Sequence, residues 1–132
     1  MDGYKGNIEG LTLKNSFFRQ VVFTSKQFQL VLMNLKPSEE IGFEVHEQND
    51  QFFRFEKGQG QVVINGSTCD ISDGDAVIVP MGSRHNVINT SQTDNLVFYT
   101  LYSPPHHKDK TIHKTKAEAE SSEQEFDGVT SL

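Results

Sequence analysis

The stretch Gly74-Asp-Ala-Val-Ile-Val-Pro80-Met-Gly82-Ser-Arg-His85-Asn-Val-Ile-Asn89 decides the fold. Gly74 permits the chain to turn into a short apolar strand, and Pro80 ends that strand because proline has no amide hydrogen for a neighbouring strand. Gly82 permits a tight reversal, and His85 begins the returning strand. This unit of strand, turn and strand predicts an imidazole aimed into a barrel.

Short apolar runs of the same kind fill most of the chain on both sides of this stretch. They are rich in β-branched and aromatic residues and are separated by turn residues, which is typical of strands. Asn65-Gly66 predicts a type I′ hairpin, since this pair tolerates positive φ at both central positions. The predicted strands are 17–23, 28–35, 43–46, 51–56, 61–64, 68–71, 76–79, 86–89 and 96–102.

Many short antiparallel strands at this spacing predict an all-β sandwich or small barrel. We expect an N-terminal arm over 1–16, the barrel over 17–105 and a polar tail over 106–132. Alanines and charges make a short helix possible between 114 and 125. We expect the tail to dock as far as about Ala119 and to be disordered beyond it.

Length and composition exclude several classes of protein. The chain has 132 residues, a net charge of -6 and a single cysteine, Cys69, which we expect to be a buried small hydrophobe. One thiol excludes a zinc site built from paired cysteines, and no apolar run approaches the roughly 20 residues of a membrane span. The acidic balance argues against a nucleic-acid surface, and the absence of a secretory pattern at Met1 predicts a cytoplasmic protein.

The quoted stretch resembles the second conserved motif of the cupin superfamily, G(X)5PXG(X)2H(X)3N, at every fixed position. The first cupin motif, G(X)5HXH(X)3,4E(X)6G, is recognisable from residue 44 to Gly58, with Glu44 in place of the first histidine and Gln51 in place of the glutamate. Ser38 replaces the initial glycine. The resemblance covers about 17–117 and extends to single-domain bacterial cupins that are loosely labelled mannose-6-phosphate-isomerase-like.

This resemblance implies a small antiparallel jelly-roll β-barrel with a metal near one mouth. Carried over position by position, the motifs give Glu44, His46, Gln51 and His85 as candidate ligands. A mixed nitrogen and oxygen set suits one divalent transition-metal ion, namely Fe, Mn, Ni, Co or Zn. Two alternatives stay open: Glu44 pairs with Arg54 or Arg84 or binds substrate directly, and the Gln51 amide orients a water or donates to a substrate oxygen.

Three further sets of residues carry expectations. Gln51, Phe53 and Phe55 share a strand face, so the two phenylalanines are predicted to line the substrate pocket. Phe52 points to the opposite face, where its exposed ring would be unfavourable unless a second subunit covered it. This motivates the hypothesis of a homodimer. The tail histidines are expected to be solvated, with the alternative that a Pro104-Pro105 elbow folds one of them over the barrel mouth.

Two functions are compatible with these residues. The first is a metal-dependent enzyme that acts on a small polar or sugar-like metabolite by isomerase, lyase or dioxygenase chemistry, with Glu44 as the catalytic group that moves a proton. The second is a non-catalytic module that binds a small molecule through the same barrel and ion. A fold does not distinguish between them, because function depends on the site.

Overall fold

The computed structural model describes residues 1–132 and contains two antiparallel sheets and two short helices. Neither helix is long and apolar enough to cross a membrane. The elements in chain order are α1 (Ile8–Lys14), β1 (Arg19–Thr24), β2 (Gln29–Leu35), β3 (Glu44–Val45), β4 (Asp50–Lys57), β5 (Gln59–Ile64), β6 (Ser67–Ser72), β7 (Ala76–Val79), β8 (Arg84–Asn89), β9 (Leu96–Ser103), β10 (Ile112–His113) and α2 (Lys116–Ser122).

The strands form a six-stranded sheet in the order β10-β1-β2-β9-β4-β7 and a four-stranded sheet in the order β3-β8-β5-β6. Every pairing is antiparallel. The inner faces of both sheets contribute to one cluster of 15 buried apolar residues, among them Met33, Phe53, Val87 and Phe98. The predicted small all-β jelly roll is therefore confirmed.

The turns in the quoted stretch have the backbone that the sequence predicted. Gly74 has φ 88° before β7, and Gly82 has φ 82° between β7 and β8. Asn65 and Gly66 have φ 47° and 83° in the hairpin between β5 and β6, so both central residues are left-handed as a type I′ turn requires.

Both ends of the chain contain structure that the sequence did not predict. Within 1–16, helix α1 starts at Asn7, whose side chain accepts a hydrogen bond from the Gly10 amide at 2.9 Å. Near the other end, β10 extends the edge of the larger sheet by pairing with β1.

The prediction that the residues beyond Ala119 are disordered is wrong. The Phe126 amide donates to the His106 carbonyl oxygen at 2.9 Å, and the Ser131 amide donates to the Thr24 carbonyl oxygen at 2.9 Å. These backbone bonds hold the last residues against the barrel. A second difference concerns Cys69, which is exposed on β6, the edge strand of the smaller sheet.

Candidate metal centre at the barrel mouth

The short pairing of β3 with β8 positions the predicted site. Glu44 lies directly opposite His85 in this antiparallel register, and His46 follows immediately after β3. The Gly82 amide donates to the His46 carbonyl oxygen at 2.9 Å, so the reversal after β7 fixes the backbone beside the imidazole. The glycine of the second motif thus positions a histidine of the first.

Glu44 and His46 are in direct contact. The Glu44 Oε2 atom lies 3.2 Å from the His46 Nε2 atom, and the His46 side chain is 5% exposed. Burial acts to raise the pKa of Glu44, but the hydrogen bond and charge of His46, followed by the charges of Arg19 and His85, outweigh it and lower that pKa. Glu44 is therefore ionised at neutral pH. Neither predicted arginine pairs with it, since Arg54 contacts Glu56 at 2.9 Å and Arg84 lies 3.8 Å over the Phe43 ring.

A third ligand-type side chain, His106, joins this pair from the segment after β9. Its ring centroid lies 4.3 Å from that of His46, and the donor atoms of Glu44, His46 and His106 all lie within 4.8 Å of one another. We call these three residues the ligand trio. The expectation that the tail histidines are solvated is therefore wrong for His106. The alternative, in which the Pro104-Pro105 elbow returns the chain to the barrel mouth, describes its position.

His106 is held in this position by a buried glutamine on β2. Gln29 is fully buried, and its Oε1 atom accepts hydrogen bonds from the amides of His106 at 3.1 Å and His107 at 2.9 Å. Its Nε2 atom donates to the His107 carbonyl oxygen at 2.7 Å. This clamp satisfies three backbone groups that the polar segment brings into the interior.

His85 lies beside the trio but outside it. Its ring centroid is 5.1 Å from that of His46, and its Nδ1 atom is 3.0 Å from the Ser83 carbonyl oxygen. Because a carbonyl oxygen only accepts, Nδ1 carries the hydrogen and Nε2 keeps the lone pair that a metal requires. Burial lowers the pKa of His85 against the opposing effect of the Ser83 hydrogen bond, which favours the same neutral form.

Gln51 is buried nearby with one half of its amide unsatisfied. Its Nε2 atom donates to Thr100 Oγ1 at 2.9 Å, whereas its Oε1 atom is buried and has no hydrogen-bond partner. A buried unpaired acceptor costs free energy, so a cation or a donor from a ligand would stabilise this oxygen. The set of oxygen and nitrogen donors around the trio therefore fits a divalent transition metal.

The two phenylalanines predicted to line the pocket belong to the core. Phe53 is 1% exposed, and its ring centroid is 6.3 Å from that of His85, so it supports the histidine from below. Phe55 is fully buried, with its ring 5.1 Å from Phe98. Phe55 therefore lies among the core side chains and does not line either cavity beside the trio.

Two surface cavities flank the trio, and the C-terminal segment forms a wall of each. One, of about 520 Å³, includes His46, His106, Pro105 and Phe126. The other, of about 190 Å³, includes Arg19, Glu44 and residues of α2. A larger cavity of about 970 Å³ lies around Gly58 and Asn95 and contains no histidine. The open space next to the candidate ligands is therefore at the mouth closed by the tail.

The sequence predicts a tail histidine at the mouth only as an alternative, and it gives no prediction for Gln29 or Arg19. His106 had one signal, the diproline that precedes it, because consecutive prolines restrict the direction in which the chain continues. Gln29 and Arg19 stand at buried positions of β2 and β1, where a polar residue in an apolar strand is the only signal that the sequence offers.

Comparisons with known proteins agree with the fold. The cupin domain family matches residues 31–102, the segment from β2 to β9. The crystal structure of BH2720 from Bacillus halodurans is similar to this chain with a TM-score of 0.88 and 36% identity, over 90% of this chain and 94% of that one.

Two curated relatives are similar in sequence. YrkC of Bacillus subtilis is 42% identical over 123 residues, which cover 89% of this chain and 66% of YrkC. Protein L612 of Acanthamoeba polyphaga mimivirus is 44% identical over 108 residues, which cover 79% of this chain and 67% of L612. The chain thus spans about two-thirds of the length of each relative.

Proposed function

The chain belongs to the cupin family, and from this premise we propose that it binds one divalent transition-metal ion at the ligand trio and uses the ion to hold a small polar metabolite. The observation that carries the proposal is the convergence of Glu44, His46 and His106 donor atoms within 4.8 Å. His85, opposite Glu44, keeps a free Nε2 lone pair, and Gln51 has a buried, unpaired Oε1 atom, so we include both as further candidate ligands. Imidazole with carboxylate and amide oxygen suits Fe, Mn, Ni, Co or Zn.

The proposed chemistry is proton transfer next to a polarised carbonyl, the class that includes isomerase and lyase reactions. The ion, when bound, would supply a Lewis acid for a carbonyl oxygen. Glu44 is ionised because its pKa is lowered, so in the catalytic role it would accept a proton from the substrate and return it. Without the ion, the buried His46 imidazole lies 3.2 Å from the carboxylate and holds it in one orientation.

The finer features of the proposal follow from the family resemblance. Similarity to the single-domain bacterial cupins labelled mannose-6-phosphate-isomerase-like makes sugar phosphates and sugar acids the first substrates to be tested. We also propose a cytoplasmic location for the protein.

Metal content tests the ion and its ligands. Chelator-treated protein would be reloaded with Mn²⁺, Fe²⁺, Co²⁺, Ni²⁺ or Zn²⁺ in turn, and bound metal would be measured by mass spectrometry after desalting. We expect one ion per chain for the wild type and a loss of at least tenfold in affinity for His46→Ala and His106→Ala. His113→Ala is the matched control, since His113 is another buried histidine and does not belong to the ligand trio. Wild-type metal content in both ligand variants would overturn the assignment.

A second experiment separates an enzyme from a binding module. The loaded protein would be assayed for isomerisation of sugar phosphates, for cleavage of sugar acids and, with Fe²⁺, for oxygen uptake. Turnover that Glu44→Gln abolishes while metal content persists supports Glu44 as the proton carrier. If no assay detects turnover and one of the same compounds raises the unfolding temperature, the binding module would be favoured over the enzyme.

A further inference from the structure

Arg19 on β1 is a buried cation with no anionic partner. The residue is 5% exposed, and no carboxylate oxygen lies within 4.0 Å of its guanidinium, since the ion pairs of the chain involve other residues. Its Nη1 atom is 3.2 Å from His113 Nδ1, and its Nε atom is buried without a hydrogen-bond partner. Buried charges in proteins are normally paired, so this guanidinium retains unused capacity for an anion.

Arg19 lines a cavity that also includes Glu44 of the ligand trio. Arg19 and Glu44 line the same space of about 190 Å³ between β1, the start of β3 and α2. A volume of this size admits a molecule of only a few non-hydrogen atoms, because pockets for drug-sized ligands are about 300 Å³ or more. One molecule in this cavity would therefore lie between Arg19 and the proposed ion.

The charges around the cavity explain why an anion would depend on the ion. Lys116 and Glu120 lie 4.0 Å apart and offset one another. The remaining lining charges are Arg19 against Glu44 and Glu123, which leaves an excess of one negative charge. A bound divalent cation would reverse that sign and favour an anion in the same space.

We propose that Arg19 is the anion-binding group of this site and that its ligand is a small organic acid, whose carboxylate lies on the guanidinium while a neighbouring oxygen reaches the ion at the trio. The inference rests on the proposed metal function and deepens it by naming the substrate class. A guanidinium matches a carboxylate with two parallel N–H···O bonds, which a lysine ammonium does not reproduce.

Binding of glycolate to the Mn²⁺-loaded protein tests this assignment. Calorimetry would compare glycolate, the neutral glycolamide and inorganic phosphate on the wild type, Arg19→Met, Arg19→Lys and Arg54→Met. Arg54 is the matched control because it is an arginine whose guanidinium is already paired with Glu56. We expect glycolate affinity to fall at least tenfold in both Arg19 variants and to be unchanged in Arg54→Met, with glycolamide at least tenfold weaker than glycolate on the wild type.

The outcomes separate this inference from the proposed function. Metal content is measured on the same samples. A thermal unfolding transition shows whether each variant is folded. If Arg19→Met does not fold, Arg19→Lys is used, because it retains the buried charge. Unchanged glycolate binding in a folded, metal-loaded Arg19 variant would overturn the subsite. Binding of phosphate in preference to glycolate would overturn the carboxylate class. A wild type without bound metal would overturn the proposed function, whereas Arg19-dependent glycolate binding to that metal-free protein would support the anion site alone.

Discussion

Gln29 is the residue on which the position of His106 depends most directly. Its single buried amide bonds with the amides of His106 and His107 and with the His107 carbonyl oxygen. Replacing it with leucine keeps the volume but leaves these backbone groups without partners. Since three groups lose their partner and each buried unpaired group costs about 1 to 3 kcal/mol, we expect Gln29→Leu to lose at least about 3 kcal/mol of unfolding free energy.

Urea unfolding measures this loss. Gln27→Leu, at an exposed position of the preceding loop, is the matched control and should change stability by less than about 0.5 kcal/mol. An equal and small effect of both substitutions would contradict the role of Gln29 as a clamp.

The same residues indicate how far a sequence can predict this site. Glu44, His46 and His85 could be brought together from the sequence because they stand at the motif positions of the family resemblance, and the structure places Glu44 against His46 and opposite His85. Gln51 as a ligand stays a prediction. His106 was found only as an alternative, because its position depends on a glutamine 77 residues earlier in the chain. Arg19 was not found, since the absence of a partner carboxylate is a property of packing that no local pattern records.

At the scale of the elements, β5 illustrates a close approach that only glycine allows. A Cβ atom on Gly60 would collide with the Ile88 carbonyl oxygen on the paired strand β8 and would lie 3.0 Å from Leu96 Cδ2. Backbone atoms in a paired strand move little, so we expect Gly60→Ala to lose about 1 to 3 kcal/mol of unfolding free energy.

Thermal or urea unfolding would detect this effect. Gly3→Ala serves as the control because its Cβ would meet nothing closer than 4.0 Å. A Gly60→Ala protein as stable as Gly3→Ala would show that β5 and β8 are less closely packed than the structure indicates.

Length explains why several strands are predicted, although β3, with only Glu44 and Val45, lies within the predicted strand 43–46. Runs such as β2, β4 and β9 are long enough for alternation and flanking turns to be read from the sequence. Strand β10 has only Ile112 and His113 and exists because β1 offers an unpaired edge. Helix α1 was placed in the predicted arm without being recognised, since seven residues give barely two turns of periodicity.

At the scale of the whole molecule, the outer face of the larger sheet supports the proposed homodimer. Phe52 pairs in register with Ile78 on β7 and Leu101 on β9, and Ile78 is 66% exposed. Arg54 and Glu56, on the same side of β4, neutralise one another, so no net charge on this strand repels a second copy. We propose that two copies of the chain meet through this face.

Sedimentation at micromolar concentration tests the dimer. We expect a mass of about twice 14.9 kDa for the wild type and a shift to the single-chain mass for Ile78→Asp. Val129→Asp, at another exposed apolar residue, should leave the mass unchanged. A wild-type mass of 14.9 kDa would overturn the proposal.

The stability of the metal-free protein should fall in mild acid because the barrel holds His106 and His107 in the neutral form. Burial, followed by the charges of His46 and Arg19, lowers the pKa of His106 to about 4. Burial, followed by Arg19 and neighbouring histidines, lowers the pKa of His107 well below its ordinary value of 6.5. Below pH 6.5 the unfolded chain therefore binds protons that the folded chain does not, and unfolding becomes more favourable as the pH falls.

This stability is fully present above the unfolded pKa of 6.5 and is lost as the pH falls toward the folded pKa, which is about 4 for His106. Each such histidine contributes a slope of up to about 1.4 kcal/mol per pH unit. Urea midpoints of chelator-treated protein, measured from pH 8 to 4.5, should be level above neutrality and decline below it. His107→Gln removes one titrating group and should decline less steeply. Urea midpoints of the wild type that stay level down to pH 5 would contradict burial of the neutral imidazoles. Level midpoints would mean that the folded and unfolded chains take up the same number of protons, so the imidazoles would be protonated inside the folded barrel.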